Sequence, residues 1–252
     1  MTLYFFLAAF TLGLFMGSFL SVIIPRLHFE EKGIIMGRSH CRKCKKQLGP
    51  FELIPLFSFL VQRGKCKKCK TKLSHWYPTT EFVTALTFGA LTLYSASIME
   101  WLILAALFFV FLFIYFYDLR YKEIHDAIML PGILFAIVAS FLIGDPLSSF
   151  IGAIIGFVFF GLQYLVSKGK WLGSGDIRIG IFMGLALGWQ NMAVALFISY
   201  IIGSVLGIFL LVTKRAKAGT ALPLGPFLVL GSMIAFFFGE TIINWYLWTL
   251  LY

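Results

Sequence analysis

Long stretches of this chain carry no charged residue at all, where a soluble domain of the same length would alternate polar and apolar faces. An apolar run of about 18 or more residues can cross a hydrocarbon core of roughly 30 Å. The pattern predicts eight spans, near 3–24, 79–97, 101–117, 127–143, 150–166, 177–190, 192–212 and 222–238, of which 177–190 is short. Residues 239–252 hold Trp245, Tyr246, Trp248 and Tyr252 and read as an interfacial or partly buried tail. The first run lacks a basic segment ahead of it, is long, and is followed directly by positive charge. It reads as a retained helix, not a cleaved signal peptide. The expected fold is therefore an all-α polytopic membrane protein of about eight transmembrane helices.

Composition agrees: 60% of the 252 residues are apolar and the mean hydropathy is +0.92. Charge adds an orientation. With eight spans, alternate connections fall at 25–78, 118–126, 167–176 and 213–221, and all 21 Lys and Arg lie in them except Arg178, just inside the sixth span. The opposite connections, near Ser97–Glu100, Gly144–Ser149, Gly188–Asn191 and the C-terminal tail, contain none. The positive-inside bias puts the N-terminus outside and the basic loops in the cytoplasm of an inner-membrane protein. A net charge of +10 also raises nucleic acid as a partner. Topology and attraction to anionic lipid head groups account for it better, so membrane lipid is expected as a partner and nucleic acid is not.

Three parts follow: residues 1–24 as the first membrane helix, 25–78 as a cytoplasmic insertion holding all four Cys and 13 of the 21 basic residues, and 79–252 as the membrane domain. Glycines recur at helical spacing in the membrane part, at Gly152/Gly156, Gly180/Gly184/Gly188 and Gly203/Gly207. Small residues four apart let helices approach closely in lipid, and such packing would draw the sixth span against its neighbours.

An ionisable residue within a span, or at its end, is costly and marks a functional candidate. Asp118 follows the aromatic run Phe111–Tyr117 at the cytoplasmic end of the third span. Asp176 closes Gly173-Ser174-Gly175-Asp176 at the cytoplasmic start of the sixth. Topology alone gives both the same depth and face, as a two-carboxylate site requires. Two close carboxylates do not both ionise cheaply and share a proton, which suits paired acid and base work on a peptide bond. From the residues alone, ion pairs of these aspartates with Arg120 or Arg178 stay open, and a single GxGD tetrapeptide is a weak motif. Asp126 reads as the N-cap of the fourth span, Asp145 before Pro146 as a turn residue, and Glu100 and Glu240 as solvated boundary residues.

Cys41-x2-Cys44 and Cys66-x2-Cys69 are 21 residues apart. Two such pairs can place four thiolates tetrahedrally around Zn²⁺, and the insertion reads as a small cytoplasmic four-cysteine zinc knuckle. Disulfides are the competing reading, and a reducing cytoplasm argues against them. Arg42, Lys43, Lys45, Lys65, Lys67, Lys68 and Lys70 would offset the thiolate charge.

Tyr117-Asp118-Leu119-Arg120-Tyr121-Lys122-Glu123-Ile124-His125-Asp126, ending in Leu130-Pro131, resembles the first active-site segment of bacterial type IV prepilin peptidases, GxGD-type membrane aspartyl proteases. Gly169–Arg178 resembles their GxGD segment, with Gly188-Trp189 following; Pro223-Leu224-Gly225-Pro226-Phe227-Leu228 resembles a third segment, and Gly17-Ser18-Phe19-Leu20 an N-terminal one. His125 stands where the family usually has Pro, Ser21 where Asn is common, and Arg42 where Pro is common. The resemblance implies Asp118 and Asp176 as the catalytic pair of an endopeptidase that removes the basic leader from type IV prepilin or pseudopilin precursors. It further implies methylation of the new N-terminus with S-adenosylmethionine, tied to the cysteine insertion through Arg38–Cys41, Ile54–Leu56, Arg63–Cys66 and Tyr77–Glu81. No Gly-rich nucleotide loop supports a methyl-donor site. Glu81, at the membrane edge, is the candidate contact for cofactor or substrate amine, with a first-turn helix carboxylate as its alternative. A protease for other membrane substrates, without methylation, and a transporter relaying ions through the two aspartates are the rival readings.

Overall fold

The computed structural model describes residues 3–31, 37–41, 43–215 and 222–251, so Lys32, Arg42 and Lys217 fall outside the described residues. Among those described the chain is helical, with no strand beyond two isolated bridges. The helices are α1 (Leu3–His28), α2 (Phe57–Val61), α3 (Trp76–Leu91), α4 (Ile98–Tyr121), α5 (Asp126–Ile143), α6 (Pro146–Ser167), α7 (Ser174–Val212) and α8 (Gly225–Leu251). They form two compact units, Met1–Phe109 and Val110–Tyr252, with the boundary inside α4.

Six of these helices, α1 and α4 to α8, are long and apolar enough to cross a membrane. The expectation of eight spans is not met by that measure, for two physical reasons. The span expected at 79–97 is realised as α3, whose 16 residues fall short of a full crossing. The spans expected at 177–190 and 192–212 are the two arms of the 39-residue α7, two helices run together across a kink at Gly188 and so counted once. A straight helix of that length would run to about 58 Å, nearly twice the roughly 30 Å hydrocarbon core. It is broken at Gly188, whose backbone (φ 74°, ψ 168°) is open to glycine and strained for other residues. Both arms return to one neighbour: a Cβ on Gly156 would lie 2.2 Å from the Gly180 carbonyl oxygen and 3.0 Å from Met192 Cε.

In unit 1, α1 lies directly on α3. A Cβ on Gly13 would stand 2.6 Å from Ala85 Cα, and one on Gly17 2.6 Å from Glu81 Cα. The α3 threonines satisfy their hydroxyls within the helix, as Thr84 does on the Thr80 carbonyl at 2.8 Å, so they can be buried at little cost.

In unit 2, glycines four apart set the α6–α7 contact. Gly152 faces Gly184 and Gly156 faces Gly180, each so close that an added Cβ would fall within 3.0 Å of the opposite backbone. Gly203 and Gly207 are not part of such a seam; the close approach of α7 to α8 is at Gly231, over Ala195 and Ser199. Gly184→Leu is expected to force α6 and α7 apart and to cost at least about 3 kcal/mol, read as a lowered thermal midpoint in detergent micelles.

Unit 2 has two chemically different ends. Gly225 meets Asp118 and Gly175 meets Ile124, which brings together the connections after α4, before α7 and before α8. All three carry Lys or Arg. At the other end Gly188 meets Ser148 and Gly239 meets Asn191, in connections with no basic residue. Residues 239–251, expected as an interfacial or partly buried tail, continue α8 as helix, with Trp245, Tyr246 and Trp248 exposed on it.

Candidate functional site

The basic end of unit 2 gathers the acidic residues singled out from sequence. Asp118 sits in the last turn of α4, which stops where Lys122 turns left-handed (φ 57°) and donates its N–H to the Asp118 carbonyl at 2.9 Å. Its side chain is 6% exposed and accepts a hydrogen bond from the Gly225 N–H at 2.8 Å. Asp176 is the third residue of α7 and 9% exposed; its carboxylate reaches back to the Gly173 N–H at 2.9 Å, satisfying one of the donors that open the helix. The first glycine of the GxGD segment is therefore the helix cap. The second, Gly175, has a packing reason: a Cβ there would stand 2.6 Å from Ile124 Cδ1.

Gly175, next to Asp176, packs on Ile124, six residues after Asp118, so both carboxyls stand at the same end of unit 2. Neither forms an ion pair among the described residues, and Arg178 instead pairs with Asp126. That pair ties the start of α5 to the first turn of α7. The cap of α5 is His125, not Asp126: His125 Nδ1 accepts from the Ala127 N–H at 3.2 Å, which accounts for the departure from proline there. Asp145 is likewise a cap, accepting from the Leu147 N–H at 3.0 Å ahead of Pro146 at the start of α6. An open apolar groove of about 530 Å³ runs along α6 and the second arm of α7, lined by Phe159, Leu196, Phe197, Tyr200 and Ile201, and holds neither aspartate.

Sequence reasoning missed Gly225 as a partner of Asp118 and Arg178 as the partner of Asp126. The signal for the first was a glycine next to a proline just ahead of an apolar run, where a helix opens. The second had no sequence signal, since the partners are 52 residues apart.

In unit 1 the four cysteines are free thiols whose sulfurs lie within 4.8 Å of one another. Four thiolates bound to one ion at about 2.3 Å stand about 3.8 Å apart. Cys41 and Cys69 are separated by 3.8 Å, far beyond a disulfide bond. The two pairs are held by the same local fold. Cys41 donates its N–H to the Lys46 carbonyl and accepts from Lys45; Cys66 donates to Thr71 and accepts from Lys70. Lys45 (φ 55°) and Lys70 (φ 56°) are both left-handed, and bridges His40–Gln47 and Lys65–Lys72 close the two turns. This repeat, 25 residues apart, lies in backbone geometry that the intervening sequence hides. The Thr71 hydroxyl, and after it the Thr71 amide, bring the Cys69 thiol down to about 6. Nearby, the Gly49 N–H and then the Lys46 ammonium hold the Glu52 carboxyl below its usual range. The donor set, spacing and local fold fit a tetrahedral metal.

Glu81 is 6% exposed, on α3. Its carboxylate accepts from the Leu56 N–H at 2.7 Å. Leu56 is itself left-handed in φ (58°), so Glu81 fastens a strained turn of the insertion to α1 and α3. Gly17 of the N-terminal segment lies against Glu81, with no room for a side chain.

Residues 11–95 match the bacterial peptidase A24 N-terminal domain and residues 105–208 match the type IV leader peptidase family. The chain is 32% identical over 242 residues to the prepilin leader peptidase/N-methyltransferase of Bacillus subtilis (strain 168), covering 94% of this chain and 96% of that protein. It is 31% identical over 277 residues to the protein of the same name from Aeromonas hydrophila, covering 96% and 94%. For that of Pseudomonas putida the identity is 29% over 266 residues, covering 95% and 92%. No solved structure matches the chain significantly.

Proposed function

The chain belongs to the type IV leader peptidase family, and from that premise we propose that Asp118 and Asp176 are the catalytic pair of a multi-pass inner-membrane enzyme. The enzyme cleaves the leader from prepilin-type precursors and methylates the new N-terminus. The observation that carries the assignment is that two buried carboxyls, each held by a backbone amide and free of ion pairs among the described residues, stand at one end of unit 2. Between them they hold one proton. The ionised partner takes a proton from water as the water oxygen attacks the scissile carbonyl. The protonated partner hydrogen-bonds the carbonyl oxygen and delivers its proton as the tetrahedral intermediate forms. Collapse breaks the C–N bond, and the leaving nitrogen receives a proton from the pair. The two act as one titrating unit.

The substrate is a pilin or pseudopilin precursor whose apolar helix lies in the bilayer and whose basic leader projects into the cytoplasm. Residues 79–252 do the hydrolysis, and 25–78 form a zinc knuckle, with Cys41, Cys44, Cys66 and Cys69 holding Zn²⁺ as a structural ion. Methylation draws its methyl group from S-adenosylmethionine, the donor the relatives' name implies. Glu81 suits an anchor for Leu56 better than a ligand for that donor, because its carboxylate is buried and already accepts the Leu56 N–H. No step is therefore assigned to it. A transporter relay is disfavoured because the aspartates sit at the ends of α4 and α7, away from mid-membrane.

Purified enzyme incubated with a prepilin and S-adenosylmethionine is the direct test, read by intact mass. Loss of the leader and gain of a methyl group report the two activities separately, and an uncut prepilin rejects the peptidase reading.

Orientation is checked independently. In a cysteine-free background, new cysteines near Lys122 and Gly169 are expected to react with a membrane-impermeant thiol reagent only after the inner membrane is opened. Cysteines near Gly144 or Gln190 are expected to label directly once any outer membrane is permeable. Labelling that put Lys122 and Gly169 on opposite faces would separate the carboxylates by roughly 30 Å and end the shared-proton mechanism.

A further inference from the structure

Helix α8 opens with an amide that has no partner in its own helix. Leu224 caps it, its carbonyl accepting from the Phe227 N–H at 3.0 Å and the Leu228 N–H at 3.1 Å. Pro226 has no N–H to give. Of the first three residues, Gly225 alone carries a donor free for a group outside the helix, and Asp118, 107 residues earlier in the chain, takes it at 2.8 Å. The approach leaves no room for a side chain: a Cβ on Gly225 would lie 2.6 Å from Asp118 Oδ2 and 3.2 Å from both Asp118 Cβ and Cγ. Asp176 is fixed in the same manner but locally, by Gly173 three residues before it. Each carboxyl thus commits one oxygen to a backbone amide and leaves the other for chemistry.

Resting on the catalytic assignment above, we propose that Gly225 is a positioning residue: the first amide of α8 orients Asp118 so that its second oxygen faces Asp176 and the scissile carbonyl. The side-chain-free approach and the free amide are separate requirements, and different substitutions remove them. Gly225→Ala keeps the donor and drives a methyl group into the carboxylate. Gly225→Pro introduces the same crowding and also removes the donor. Proline is tolerated at the first position of a helix, where no intrahelical bond is lost.

Both variants, purified in detergent, are assayed for cleavage of a full prepilin and, separately, for methylation of a mature pilin peptide that needs no cleavage. Cleavage by Gly225→Ala is expected to fall at least about 10-fold in kcat, and by Gly225→Pro at least about 100-fold, with KM within about twofold, as for a misplaced reacting group. Methylation close to the wild-type rate shows that the chain is folded. Hydrogen exchange supplies a reading without turnover: the Gly225 amide is expected to be protected in wild type and to exchange faster in Asp118→Ala. Wild-type kcat in Gly225→Pro, or unchanged exchange at Gly225 in Asp118→Ala, overturns the proposal. If Gly225→Pro loses methylation too, Gly225→Ala and the exchange measurement decide. Failure of the catalytic assignment itself looks different: Asp118→Asn would then cleave normally.

Discussion

Asp118→Asn and Asp176→Asn proteins are each expected to lose leader cleavage by on the order of 10⁴-fold or more in kcat, with the remainder near background. The exchange is nearly isosteric, and an asparagine carbonyl can still accept the Gly225 or Gly173 N–H that the carboxylate accepts at 2.8 Å and 2.9 Å. Folding and packing are therefore kept while the shared proton is lost. Neither single acid can both deprotonate water and polarise the carbonyl, so partial activity from the survivor is not expected. The controls are Asp126→Asn and Asp145→Asn. Asp145 is a helix cap, a position where asparagine serves as well as aspartate. Asp126 loses its charge pairing with Arg178, but the α5 cap belongs to His125. Both controls should keep most cleavage, measured as product formed from a purified prepilin in detergent. Robust cleavage by either Asp118→Asn or Asp176→Asn would falsify the assignment.

What could be read from the chain alone follows from which interactions are local. Apolar length gave the helices, and the Lys/Arg asymmetry put the connections after α4 and before α7 on one side before any contact was known. The Gly173-to-Asp176 cap is contained in four residues, so the GxGD segment was readable as a unit. The glycine seam between α6 and α7 was readable because its spacing repeats on both helices. What escaped was non-local or conformational. A hydropathy window places spans on either side of Gly188 but does not show that they run into one another through a glycine of positive φ. Nor does it reveal that the run around 79–97 makes a helix of only 16 residues. The partners of Asp118 and Asp126 lie 107 and 52 residues away, and no periodicity links them. The Glu81 carboxylate was visible as an unusual charge at a helix start; its engagement with Leu56 depends on a left-handed turn that leucine rarely adopts.

Cysteine-to-serine substitution at position 41, 44, 66 or 69 is expected to abolish stoichiometric zinc, measured by elemental analysis of protein purified after cytoplasmic expression. The expectation rests on how little else holds the insertion. Its described helices are the three-residue turn Pro50–Glu52 and the five-residue α2, neither with a buried residue. Ties among the described residues include the Lys46–Glu52 pair, the Glu81–Leu56 and Arg26–Gly37 hydrogen bonds, the Phe59–His75 ring contact and the paired cysteine turns. A metal held by the four thiolates would link residues 41–44 to residues 66–69, and in small sites of this kind binding supplies on the order of 10 kcal/mol that is also folding free energy. Loss of one thiolate should therefore open the whole of residues 38–78 to limited proteolysis, and a strong chelator should do the same to the wild-type protein. Serine is close in size, so the change reads ligation and not packing. Cleavage should survive at a reduced rate, because Asp118 and Asp176 belong to unit 2 and their amide partners, Gly225 and Gly173, belong to it as well. Methylation should fall with the zinc. Wild-type protein that carries no stoichiometric zinc, or whose four cysteines prove to be disulfide-bonded after cytoplasmic expression, would overturn the metal reading while leaving the aspartate pair untouched.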